Sequence, residues 1–214
     1  MDWAMIGVGV GVLLFWWVFT HNFRISDMVE KEGLGHRFDD FKWSVFLSHG
    51  GGFQLMLFVL SIYYRVIYGK FHWSELIYAT IFILGWPIWE VLVHKYQMHT
   101  WKFDPLYEIH QVHHDSPYDS KFALVPVRQI MYLFGVQILL FGFGLRRIMT
   151  IYSAVMMMLV FYEFVHYSIH TNRKPKTAYG RWVQKNHRQH HFLSEDTHMG
   201  LLFPIKWTTW KPTR

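Results

Sequence analysis

Five long apolar stretches, separated by polar segments, dominate the hydropathy pattern of the chain. They cover residues 4–20, 45–67, 76–93, 130–145 and 148–165. A helix crosses a bilayer with about 20 apolar residues, within a range of about 17 to 25, so all but the second stretch lie near the lower limit. The last two are separated only by Arg146 and Arg147, and we expect them to form a hairpin that need not cross fully. The pattern predicts an all-α integral membrane protein with about four to five transmembrane or half-spanning helices.

Composition supports a membrane protein and narrows the chemistry. Hydrophobic residues make up 52% of the chain and charged residues 17%, against roughly 25% charged in an ordinary soluble domain. The absence of cysteine excludes a disulfide framework and any thiolate metal site. The net charge of +6 accompanies no nucleic-acid-binding motif, so we expect no nucleic-acid partner. No linker or break in composition is visible, which predicts a single membrane domain over residues 1–214.

Histidine is grouped along the chain rather than scattered. The pattern His-x-x-His-His occurs twice, and a looser histidine pair precedes each occurrence. Residues i, i+3 and i+4 share one face of a helix, so each triad should present its imidazoles in one direction. Ten of the 15 histidines belong to these groups: His94 and His99; His110, His113 and His114; His166 and His170; His187, His190 and His191.

Grouped imidazoles of this kind indicate metal binding. Neutral imidazole is a ligand for zinc, copper, iron and nickel, and ten of them exceed the about four to six positions of one ion. We therefore predict two metal ions, each drawing on several groups. Residues five apart do not share a face of an α-helix, so we expect the helix to end or bend between His94 and His99. Five histidines lack such spacing and are expected to be structural: His21, His36, His49, His72 and His198.

The distribution of lysine and arginine predicts the orientation in the membrane. Of the 21 basic residues, 17 fall in the segments 21–44, 94–129 and 166–214. Basic residues concentrate on the cytosolic side of membrane proteins, so these segments are expected to be cytosolic and the N-terminus to face outward. All four histidine groups then lie on the same side, and a cytosolic two-metal site becomes possible.

From about residue 86 to the end, the chain resembles the membrane fatty acid hydroxylase/sterol desaturase superfamily. The resemblance rests on histidine boxes that read HKYQMH at 94–99, HQVHH at 110–114, HYSIH at 166–170 and HRQHH at 187–191. In that superfamily the boxes surround a two-metal centre, which implies that the ten grouped histidines are its ligands. The stretch HHDSPYDS at 113–120 and the step Tyr162–Glu163 are most similar to fatty acid 2-hydroxylases. His198 departs from them, because they more often have another residue before the glycine that corresponds to Gly200.

The resemblance implies a membrane-bound non-haem diiron oxygenase that hydroxylates a long-chain acyl lipid, with O₂ as co-substrate and carbon 2 as the expected position. Iron is the expected metal, and zinc is also accepted by imidazole. No flavin, nicotinamide or haem motif is visible, so electrons are expected from a separate cytochrome b5 or ferredoxin. The expected location is the bacterial inner membrane or the eukaryotic endoplasmic reticulum.

Two alternatives remain open. The same centre could desaturate a lipid or hydroxylate a carotenoid or sterol. A membrane metal-binding or transport protein is less favoured, because the histidine groups begin where the apolar runs end, whereas transport sites lie at mid-depth.

Metal-bound imidazoles also need acceptors for their outward N–H groups. The acidic candidates for this role are Glu90, Glu108, Asp115, Asp119 and Glu163.

Overall fold

The structure, a computed structural model, describes residues 2–22, 38–67 and 71–203. Within these ranges the regular elements are helices, joined by turns and loops, and Asp39 and Thr171 form an isolated β-bridge. The predicted all-α class is confirmed. The α-helices, in chain order, are α1 Trp3–Asn22, α2 Trp43–Ser48, α3 Gly50–Ile67, α4 Trp73–Leu92, α5 Pro105–Asp115, α6 Val127–Gly142, α7 Arg146–Ile169 and α8 Ala178–Phe192. A π-helix, Val93–Met98, follows α4, and a 3₁₀-helix, Ser120–Ala123, precedes α6.

Three described helices are long and apolar enough to cross a membrane: Gly50–Ile67, Trp73–Met98 and Arg146–Ile169. Within α1 and α6, the apolar stretches whose side chains the structure describes are shorter: Trp3–Leu14 and Gln129–Gly142. This agrees with the predicted mixture of spanning and half-spanning helices. In the expected hairpin of the last two stretches, α6 is the short helix, whereas α7 has 24 residues and is long enough to cross.

The chain divides into two compact units. The first comprises Met1–Arg24, Trp43–Gly85 and Leu124–Glu163. Its buried core contains Leu57, Ile130, Met149, Tyr152 and Met156, surrounded by further apolar side chains of the same helices. That the whole chain acts as one domain stays a prediction.

Several polar side chains inside the first unit are paired with one another. Arg65 donates from Nε and Nη2 to the two carboxylate oxygens of Glu75, at 2.7 and 2.6 Å. Thr150 donates to the same carboxylate at 2.6 Å. The hydroxyls of Ser61 and Ser153 lie 2.8 Å apart and connect α3 with α7. Pairing of this kind is expected in apolar surroundings, where an unsatisfied polar group costs several kcal/mol.

The second unit comprises Ile25–Lys42, Trp86–Ala123 and Phe164–Arg214, and it contains all ten grouped histidines. Its segment before α2 is held in place by side chains: Asp39 accepts hydrogen bonds from the backbone and the hydroxyl of Ser120, at 3.2 and 3.1 Å. Phe41 packs against Tyr167, with 5.0 Å between ring centroids. These contacts stabilise the surroundings of the histidines.

Candidate metal centre

The first histidine pair is positioned by the π-helix. The α-helical part of the span ends at Leu92, before the pair and not between its two members as expected; the chain then remains helical through Met98, and His99 caps it. A π-helix bonds residue i to residue i+5 and so stacks residues five apart. The Nε2 atoms of His94 and His99 accordingly both lie 2.9 Å from Nε2 of His110. No break separates the pair, and a change of helix type brings them together.

Both histidine triads lie at the C-terminal ends of well-capped α-helices. Asp104 accepts a hydrogen bond from the Leu106 backbone at 2.9 Å and Pro105 occupies the first turn, which begins α5. Thr177 accepts from the Gly180 backbone at 3.0 Å and begins α8 in the same way. The triads occupy the last two turns of these helices, whereas the second pair occupies the end of α7 and the residue after it.

The ten histidines form two clusters of five, and within each cluster the ligand nitrogens lie within 4.8 Å of one another. The first cluster contains His94, His99, His110, His114 and His190. The second cluster contains His113, His166, His170, His187 and His191. The clusters are adjacent, because the rings of His114 and His191 stack with centroids 4.1 Å apart.

Each triad is divided between the two clusters, which corrects the expectation that its three imidazoles share one direction. His110 and His114 face the first cluster, whereas His113 faces the second; His187 and His191 face the second, whereas His190 faces the first. On an α-helix, residues i+3 and i+4 point about 100° apart, on either side of residue i. One helix can therefore contribute to two adjacent sites.

One histidine at the centre of each cluster makes contacts that hydrogen bonding cannot explain. Nε2 of His110 lies 2.9 Å from that of His94, 2.9 Å from that of His99 and 3.0 Å from that of His114. A ring nitrogen carries either one hydrogen or one lone pair, so it can satisfy only one such contact. A cation placed among the nitrogens would satisfy all of them.

The second cluster repeats this arrangement. Nε2 of His187 lies 3.0 Å from that of His166, 3.0 Å from that of His170 and 3.1 Å from that of His191. With metal–nitrogen bonds of about 2.0–2.1 Å, two ligands at right angles are about 2.8–3.0 Å apart, and two tetrahedral ligands about 3.3–3.4 Å apart. The observed spacings fit the right-angled case better, and the donor sets of both clusters therefore fit a metal ion.

Backbone carbonyls set the tautomers of four ligand candidates. The Nδ1–H of His94 donates to the Met199 carbonyl at 2.6 Å, and that of His190 to the Thr197 carbonyl at 2.9 Å. In the second cluster, the His166 and His170 Nδ1–H groups each donate at 2.8 Å, to the carbonyls of Ala123 and Pro117 respectively. A carbonyl only accepts, so the proton is on Nδ1 and the Nε2 lone pair faces the cluster.

Carboxylates were expected in this role, and for these four imidazoles the expectation is wrong. Glu90 instead accepts hydrogen bonds from the backbone N–H groups of Leu201 and Leu202, and Glu163 accepts from that of Val125 at 3.2 Å. Sequence reasoning missed a carboxylate that approaches the first cluster: an oxygen of Glu195 lies 3.3 Å from Nδ1 of His114. Its proximity depends on the turn after α8, which has no sequence signature.

The clustered imidazoles are neutral at physiological pH. Burial, reinforced by the charges that neighbouring imidazoles would carry, lowers the pKa of His99 to about 3 and that of His114 to about 2. Burial also lowers the pKa of His170 and of His190 to about 4. Neutral imidazole is the form that binds metal, so the clusters do not need to release protons before an ion binds.

The remaining histidines that the structure describes lie outside both clusters. Nδ1 of His49 lies 2.8 Å from the Val45 carbonyl, and Nδ1 of His198 lies 2.7 Å from the Thr197 hydroxyl. The backbone of His72 donates to Glu75 at 3.1 Å. The other two expected structural histidines, His36 and the side chain of His21, lie outside the described residues.

Fold and site together define a helical membrane protein with two histidine clusters that could each hold a metal ion. The family model described as fatty acid hydroxylase matches residues 79–210, which is more than half of the chain and includes every clustered histidine. The chain belongs to the fatty acid hydroxylase family. No curated protein and no solved structure matches it. Family membership and the clusters fit a histidine-ligated metal hydroxylase or desaturase.

Proposed function

We propose that this protein is an O₂-dependent hydroxylase that acts on the long acyl chain of a membrane lipid, at carbon 2. The observation that carries the proposal is the pair of adjacent five-histidine clusters, in which one central Nε2 atom makes three close contacts to other Nε2 atoms, more than hydrogen bonding can satisfy. The proposed ligands of two metal ions are His94, His99, His110, His114 and His190 in the first cluster and His113, His166, His170, His187 and His191 in the second.

Iron is the proposed metal in both clusters. Bound there, it would supply the redox chemistry that activates O₂ toward an unactivated C–H bond. The overall reaction replaces a C–H bond by C–OH; the second oxygen atom leaves as water, after uptake of two electrons and two protons. The chain carries no flavin, nicotinamide or haem motif, so we propose an external donor of the cytochrome b5 or ferredoxin type.

The contribution of the protein is to hold, orient and shield the metal. Carbonyls of Thr197 and Met199 keep two Nε2 lone pairs directed into the first cluster, and those of Pro117 and Ala123 do the same in the second. The central histidines, His110 and His187, are buried, which limits access of water. Ligands held in this way would keep their orientation around a bound metal ion.

The position of attack rests on a narrower observation. The stretch at 113–120 is similar to 2-hydroxylases, and it lies at the second cluster, since the Pro117 carbonyl accepts from His170. A lipid with its polar head at the membrane surface would place carbon 2 nearest to surface-located metals. We further propose that this face is cytosolic, because the positive-inside rule favours that orientation.

Lipid analysis tests the reaction. The chain is expressed in cells that lack 2-hydroxy lipids, under ¹⁸O₂, and the lipids are examined by mass spectrometry. The expected product is an acyl lipid with one ¹⁸O hydroxyl at carbon 2. His113→Ala should abolish it, whereas His72→Ala, which lies outside the clusters, should not.

Other outcomes identify the alternatives. A new double bond, or a hydroxylated carotenoid or sterol, would replace the 2-hydroxylase assignment by another activity of a histidine-ligated centre. Metal uptake by the cells without any oxygenated or desaturated product would favour the metal-binding or transport alternative.

A further inference from the structure

A short segment after α8 provides carbonyl groups for two histidines of the first cluster. The Thr197 carbonyl accepts from His190 and the Met199 carbonyl from His94, which belong to different helices. His198, between them, has a φ of 63°, in the left-handed region. Most residues other than glycine avoid that region, so the surroundings must hold the backbone in this shape.

Asn186 and Glu90 hold this segment from two helices. Nδ2 of Asn186 donates to the carbonyls of His198 and Gly200, at 3.2 and 3.0 Å. One carboxylate oxygen of Glu90 accepts from the backbone N–H groups of Leu201 and Leu202, the latter at 3.0 Å. Residues 197–202 have no regular secondary structure of their own. The two side chains therefore supply partners that a helix or sheet would otherwise provide.

The side chains of Glu90 and Asn186 are buried together with the segment that they hold. Glu90 and Asn186 are only 4% and 6% exposed, and Leu201 and Leu202 are 1% and 0% exposed. The second oxygen of Glu90 accepts from the indole N–H of Trp86 at 2.9 Å. Removing the carboxylate would take away the acceptor that the buried backbone N–H groups of Leu201 and Leu202 share, which costs more than the loss of an exposed hydrogen bond does. The segment would then lose its position rather than adjust slightly.

We propose that Glu90 and Asn186 are positioning residues for the first histidine cluster and act through the segment 197–202, which we call the carbonyl segment. The proposal rests on the proposed function, because it requires that the cluster binds a metal. Neither side chain is among the clustered ligands. The second cluster takes its described carbonyls from Pro117 and Ala123, outside the carbonyl segment. The effect of losing either residue should therefore be confined to one of the two metal sites.

Cobalt(II) titration of the metal-depleted, full-length protein in detergent, followed by its visible absorption, tests this. The unaltered protein should bind two ions. Glu90→Ala and Asn186→Ala should each weaken one site about 10- to 100-fold, as loss of an outer partner does in other metal sites, and leave the second unchanged. The weakened site should have the absorption lost in His99→Ala and not that lost in His170→Ala.

Matched variants separate positioning from a general effect on folding. Asp196→Ala removes an exposed carboxylate next to the carbonyl segment and should leave both sites unchanged. Glu90→Gln keeps one oxygen for the backbone N–H groups but presents an amide to Trp86, so its affinity should lie between those of Glu90→Ala and the unaltered protein.

The outcomes are distinguishable. If Glu90→Ala and Asn186→Ala keep both affinities within about threefold, or lose both sites together, the positioning proposal is wrong. If the unaltered protein binds fewer than two cobalt ions, the proposed two-metal function fails independently of these variants.

Discussion

Because each triad is divided between two clusters, the effect of a double substitution should depend on which cluster the two histidines belong to and not on which triad they belong to. His110 and His190 come from different triads but share the first cluster, whereas His110 and His113 share a triad but not a cluster. The double variant His110→Ala/His190→Ala should therefore empty one site and preserve the other. The double variant His110→Ala/His113→Ala should damage both.

The expected magnitude follows from the number of donors in each cluster. Structural zinc sites with four ligands bind with about 10–16 kcal/mol, which is about 2.5–4 kcal/mol per ligand, or a factor of about 10²–10³ in affinity. His110→Ala/His190→Ala leaves all five donors of the second cluster, so one site keeps its original affinity. His110→Ala/His113→Ala leaves four donors in each cluster, so both sites should weaken by about 10²–10³.

Titration of the metal-depleted variants against a competing chelator measures how many metal sites each variant keeps and how tightly each site binds. The two double variants are matched, because each removes two imidazoles and each includes His110. One site of original affinity is expected in His110→Ala/His190→Ala and none in His110→Ala/His113→Ala. The reverse result would mean that each triad serves a single ion, and it would refute the assignment of ligands to the two clusters.

Three further predictions concern acid, charge and packing. The pKa of His170 is about 4 in the folded chain and about 6.5 in the unfolded chain. Between these two pH values the unfolded state binds more protons than the folded state. The free energy of unfolding should therefore fall as pH falls, by about 1.4 kcal/mol per pH unit for each such histidine. Circular dichroism and metal analysis should then show metal and helix lost together below about pH 6, and metal loss with intact helix would contradict this. Glu75→Gln removes the negative charge opposite the buried Arg65 and should cost about 3–5 kcal/mol in thermal unfolding, whereas replacing both residues by Met should restore most of it; equal losses would argue against a buried pair. Gly50→Ala places a Cβ against the Val125 carbonyl and should lower the unfolding temperature, whereas Gly85→Ala meets open space and should not, so equal effects would exclude steric overlap as the cause.

The elements most predictable from the sequence were those governed by local periodicity. Long apolar runs have to become helices in a bilayer, because backbone polar groups there can only be satisfied internally. The ten histidines could also be predicted from their spacing, since His-x-x-His-His groups imidazoles at the end of a helix, although the structure divides each triad between two clusters. Even there, local reasoning was incomplete: it anticipated a break between His94 and His99, and a π-helix solves the same problem without one.

By itself, the sequence determined the helical membrane class, the ten grouped histidines and the absence of any thiolate alternative, because all three follow from composition and short-range spacing. Only the tertiary structure decided which imidazoles meet. Cluster membership depends on how α5 and α8 are rotated against the ends of α4 and α7, and a rotation of about 100° separates residues i+3 and i+4 of a single helix. It also decided that carbonyls at Thr197 and Met199 orient two ligands, since every residue has a carbonyl and only the path of the chain selects the one that an imidazole reaches.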